Sequence, residues 1–145
     1  MKTLSIYSVC LGLLITNPLW AQNGARSEPV IDVVVKADGK PVNNPKGIPA
    51  KTQKLEFTAL LSPESRQRFP DLQPEAVIKS AWVSLARGNR RVATAFWQAG
   101  EPLDKVTKEA KPGDRYVIEF DLAARRKDGK QMTLSTRKIQ AIPLY

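Results

Sequence analysis

Along most of this chain apolar and polar residues alternate one for one, the period of a strand with one buried face. Ile31, Val33 and Val35 alternate with Asp32, Val34 and Lys36. Asp38-Gly39 follows as a hairpin signal, and Val42 starts a return strand. Residues 43–52 (NNPKGIPAKT) are rich in breakers and read as a loop. Leu55, Phe57, Ala59 and Leu61 share one face of the next strand, with Glu56 and Thr58 opposite. Ser62-Pro63-Glu64 predicts a helix start, with Ser as N-cap, Pro at the first position and an acid in the first turn. Pro70 stops that helix within two turns, and residues 71–75 (DLQPE) read as an irregular connection.

Residues 76–97 predict two strands joined at Gly88-Asn89. The first places Val77, Ala81, Val83 and Leu85 on one face; the second does the same with Val92, Thr94 and Phe96. Trp82 breaks the alternation, so both faces are expected to be partly covered. After a polar connection (98–110), Pro112-Gly113 sets a tight turn. Tyr116, Ile118, Phe120, Leu122 and Ala124 then share one strand face, with Glu119, Asp121 and Arg125 on the other. Asp128-Gly129 turns the chain again, and Met132 and Leu134 resume the inward pattern. Ile142 and Leu144 keep that parity, whereas Lys138 and Gln140 interrupt it and predict a break near 135–140. Short strands joined by hairpins, with one short helix, predict an all-β domain over residues 30–145. An antiparallel β-sandwich, immunoglobulin-like or related, is the expected form, with a partly open barrel as the alternative.

The N-terminus follows a different rule. Lys2 precedes the apolar run of residues 4–15, and Pro18-Leu19-Trp20-Ala21 ends in a small residue. This is the layout of a cleaved signal peptide over residues 1–21, and the run is short for a membrane span. An uncleaved anchor is the alternative; Val9 is too bulky for lipoprotein processing at Cys10. The expected product is periplasmic or secreted, has no transmembrane helix after cleavage, and begins with a flexible leader at 22–29.

Cleavage removes the only cysteine, and the chain contains no histidine. Disulfide scaffolding, thiol chemistry, soft-metal sites and imidazole catalysis are thereby excluded from the exported part. No catalytic residue, metal site or cofactor is expected, and the chain reads as a non-enzyme. Glu119 and Asp121 share a strand face, but as an acid pair they would need an apolar pocket to raise one of them. Asp114 and Arg115 read as a local ion pair.

The formal net charge is +9, and removing residues 1–21, which hold Lys2 and no acid, lowers it by one. The cations gather at turns: Arg87, Arg90 and Arg91 around Gly88-Asn89, and Arg125, Arg126, Lys127 and Lys130 around Asp128-Gly129. If both turns lie at one end of the sandwich they form one basic rim, and Arg87, Arg90, Arg91, Arg125 and Arg126 are then candidate partner-binding residues. The blander function of such charges is to protect turns and sheet edges from aggregation. Nucleic acid is not an expected partner, because the aromatics fall within strands rather than among the cations. A second class of function, carbohydrate or lipid binding, would use Trp97, which opposes Phe96 on its strand.

The run SPESRQRFPDLQPEAVIKSAWVSLARGNRRV, followed by KPGDRYVIEF and RRKDGK, resembles the C-terminal periplasmic domain of GldM, the gliding-motility and type IX secretion shaft protein. The likeness rests on a short helix ending near a Pro, a strand closing in L-A-R-G-x-R-x-V, and a later K-P-G-D-R strand. It implies a non-enzymatic β-domain in the envelope of a Bacteroidota-type bacterium that contacts other proteins, looking outward to an outer-membrane-associated ring. This chain departs from that family in having a cleavable signal and no membrane helix after it, so it would not couple to an inner-membrane motor. The expected partner is another envelope protein.

Overall fold

In the computed structural model, which describes residues 27–145, every hairpin signal becomes a turn. The signal peptide expected over residues 1–21 and leader residues 22–26 lie outside the described residues. Asp38 and Gly39 both take positive φ (47° and 79°), as a type I′ turn requires, and join β1 (Ile31–Ala37) to β2 (Lys40–Pro41). Gly88 alone is positive (57°) at the Gly-first turn between β4 (Leu72–Arg87) and β5 (Arg90–Trp97). The Asp128-Gly129 turn links β6 (Arg115–Arg126) to β7 (Gln131–Thr133). β3 (Leu55–Leu61), α1 (Pro63–Arg68), α2 (Asp104–Thr107) and β8 (Lys138–Pro143) complete the chain.

The fold is all-β, and every strand pair is antiparallel. Pairing runs β2-β1-β3-β4-β6-β7, with β5 added beside β4 and β8 beside β6. The strands thus form one continuous sheet, pinched where β3 meets β4 at a single pair, Leu60↔Glu75. Either side of that pinch contributes apolar side chains to one core: Ile31, Val33 and Val35 from β1, and Tyr116, Ile118 and Phe120 from β6. Phe57 of β3 joins the halves, with edge-on contacts to Trp97 (5.0 Å) and Phe120 (5.1 Å). α1 forms as expected: Ser62 Oγ accepts the Ser65 N–H and Pro63 opens the helix.

Five expectations need correction. Residues 71–75 are not an irregular connection, because Leu72 already pairs with Arg126 and opens the 16-residue β4. The 98–110 connection contains a second helix, α2, whose Val106 is fully buried. A register shift between Ile78 and Ser80 reverses parity, so Ala76 and Ile78 pack on the core in place of Val77. A second shift, between Leu85 and Ala86, reverses β5: Ala93 and Trp97 face inward while Val92 and Phe96 face solvent. The return strand β2 also stops short of Val42, whose N–H nevertheless bonds Val35 O (2.8 Å).

The break expected near 135–140 lies between β7 and β8 and has a purpose. Lys138 Nζ donates to Ile31 O (2.7 Å) and Gln140 Nε2 to Val33 O (2.9 Å). With the Val42 N–H on Val35 O, three alternate carbonyls on the outer edge of β1 are satisfied without a neighbouring strand. Of the leader, Ser27 accepts from Arg68 Nη2 (2.9 Å) and Glu28 accepts the Ser135 N–H (3.0 Å).

The loop after β2 is strapped to the C-terminus by a parallel bridge, Ile48↔Leu144, and by Tyr145 N–H to Ile48 O (3.0 Å). Gly47 makes this approach possible. Its φ is +75°, and a Cβ there would lie 2.1 Å from Pro143 O. Gly47→Ala is expected to destabilise the domain by about 2–4 kcal/mol. Gly39→Ala, also at positive φ but with open space around it, should cost only ~1 kcal/mol. Urea melts of the two variants compare them directly.

Candidate functional site

The five arginines do not form one rim. β4 and β6 run antiparallel, so Ala86 sits beside Arg115 and Leu72 beside Arg126. Arg87, Arg90 and Arg91 therefore mark one end of the β4-β6 pair and Arg125 and Arg126 the other, roughly 35–40 Å apart along β6.

Arg87 is also committed within the fold. Its Nε and Nη2 donate to the two carboxylate oxygens of Asp114 at 2.7 and 2.8 Å, a bidentate pair. Asp114 is 2% exposed and additionally accepts the Lys111 N–H at 2.9 Å. The Arg87 hydrogen bonds hold its carboxyl below the ordinary carboxylate range, helped by the Lys111 amide and opposed by burial. The local Asp114–Arg115 pair expected from adjacency does not form: Arg115 Nη2 reaches Gly88 O at 3.4 Å. Arg90, Arg91, Arg125 and Arg126 remain exposed.

The more informative surface is the outer face of β5-β4-β6-β8. Register places Phe96, Trp82, Glu119 and Ile139 in one row across those strands. Trp82 and Phe96 pack against each other at 4.9 Å and stay 45% and 40% exposed; Ile139 is 62% exposed. Val92 on β5 is exposed on this outer side too. Arg91 and Arg115 flank Ala86 at the turn end, while Arg137 approaches Glu119 at 3.9 Å. Trp82 carried a signal in the sequence as the break in alternation; Phe96 carried none, because the bulge that turns it outward leaves no local mark.

Trp97 has the opposite fate. It is 9% exposed and packed edge-on against Phe57, which argues against an open stacking surface at this residue. Among the described residues, no group of three His, Cys, Asp or Glu side chains is placed to hold a metal ion. No helix among them is long and apolar enough to cross a membrane. Tyr116 is fully buried, and its hydroxyl has no hydrogen-bond partner. Burial, with a smaller contribution from the Asp114 charge, pushes it up to about 12.

Comparison of the chain with family models, curated proteins and solved structures finds no match.

Two pH responses follow from these groups. A depressed folded pKa at Asp114 gives stability that is present above the ordinary carboxylate value near ~4 and lost as pH falls through the folded value. Asp114→Asn should be less stable than wild type by about 2 kcal/mol at pH 7, with the gap closing below about pH 4 in denaturant melts. At Tyr116 the sign is reversed: the raised value costs stability as pH climbs from about 10 to about 12. Tyr116→Phe should remove that alkaline loss and leave neutral stability unchanged or up to about 1 kcal/mol higher, since it deletes an unpartnered buried hydroxyl.

Proposed function

We propose that this chain is a non-enzymatic β-domain, exported to the bacterial envelope, that holds another envelope protein on the outer face of β5-β4-β6-β8. The supporting observation is the exposed Trp82–Phe96 pair, backed by a closed core on its inner side. Aromatic anchors on a rigid sheet are the side chains that dominate binding energy at protein interfaces. Arg91 and Arg115 at the turn end favour a partner with carboxylates beside its apolar contact, and that part of the affinity falls with salt. The resemblance to the GldM C-terminal domain supports the same reading, with an outer-membrane-associated protein as partner.

Affinity capture from envelope extract at low salt, with the chain as bait, tests this. Trp82→Ala should lower partner recovery at least about tenfold, the loss of one hot-spot anchor. The double charge reversal Arg125→Glu/Arg126→Glu, at the far end of β4, should leave it unchanged. Failure to recover any protein, or equal recovery with Trp82→Ala, would overturn the proposal.

A further inference from the structure

Most sheet edges in this molecule are closed. The outer edge of β1 is covered by Lys138, Gln140 and Val42, β2 has two residues including Pro41, and β7 has three. The free side of β3 faces the Gly100–Asp104 segment across a cleft that includes Phe57 and Trp97. β5 differs. It has eight residues and pairs with β4 alone, and among the described residues none of its backbone groups bonds outside that pairing. Its sequence, RRVATAFW, contains no Pro, Lys or acid, and its edge devices, Arg90, Arg91 and the bulge at Val92, are confined to the turn end.

The same strand is self-complementary. Antiparallel strands bring side chains of the same face opposite one another. With two copies of β5 centred on Thr94, Thr94 faces Thr94, Ala93 faces Ala95, and Val92 faces Phe96, twice over. The inward pair is small on both sides, and the outward pair joins a β-branched residue to an aromatic, a favourable cross-strand combination. Arg90 and Arg91 fall opposite Gln98 and Trp97, so no two arginines meet. On the outer face Val92 of one copy then extends the Trp82–Phe96 row of the other.

We propose that two copies of the chain pair edge to edge through β5 in this register, forming a two-fold dimer with one continuous outer face. The contact consists of strand pairing and a few side chains, which makes it weak and concentration-dependent. It enlarges the docking face described above, yet stands independently of which envelope protein occupies that face.

A single-cysteine experiment reads the register directly. In the full chain carrying Cys10→Ser, Thr94→Cys places two thiols opposite each other at the axis, within the Cα spacing a disulfide accepts. Under mild oxidation it should give covalent dimer at least about tenfold faster than Lys130→Cys, an exposed control at the far turn. In sedimentation, wild type should show a concentration-dependent dimer that Thr94→Lys abolishes, with circular dichroism confirming that the variant folds. Equal crosslinking of the two cysteine variants, or a wild type that stays monomeric throughout, would overturn the dimer. A monomer that still captures its envelope partner through Trp82 refutes only the dimer, and a dimer that captures nothing refutes only the docking function.

Discussion

The buried carboxylate of Asp114 is the tie on which the rest of the sheet depends. It closes its own turn by accepting the Lys111 N–H, and it holds the end of β4 through Arg87. Its backbone carbonyl accepts the Leu144 N–H (2.9 Å), while the Gly113 N–H bonds Leu144 O (2.9 Å). Leu144 in turn bridges Ile48, so one residue links the start of β6, the end of β4, the C-terminus and the loop strapped by Gly47. An aspartate can do this because a carboxylate offers several acceptor positions, and a bidentate guanidinium occupies only two of them. Burial raises the cost of leaving any of them empty.

The outer face of β5-β4-β6-β8 owes its exposed aromatics to two irregularities in pairing rather than to composition. Between Ile78 and Ser80 the register shift returns β4 to an inward Ala81, Val83 and Leu85; between Leu85 and Ala86 a second shift turns Phe96 out beside Trp82. Without the second, Val92 and Phe96 would enter the core and Trp97 would face water. A one-residue slip moves a whole strand face, so bulges are an economical way to aim aromatics.

That mechanism also explains what could be read from the chain in advance. The inward series Tyr116, Ile118, Phe120, Leu122 and the turns at Asp38-Gly39, Gly88-Asn89 and Pro112-Gly113 depend on neighbours in sequence, and they were legible. Leu72 was not, because a strand containing Pro74 is stabilised by pairing with a residue 54 positions later, Arg126. α2 was hidden for a different reason: it is four residues long and has no side-chain N-cap to announce it. The true partner of Asp114 lies 27 residues away at Arg87, whereas adjacency pointed to Arg115. Of the candidate site, the tip arginines could be read but not their separation, since only the antiparallel register puts Arg125 and Arg126 at the opposite end.

The seal along β1 gives the wall an uneven strength. Apart from the single pair between β3 and β4, neighbouring strands elsewhere are joined by amide ladders. Between β1 and β8 the join is made by an ammonium and a carboxamide at the ends of flexible stems. Those two side chains can swing away while every ladder stays intact. The sheet therefore has a built-in seam, a line held by side chains rather than by backbone pairing.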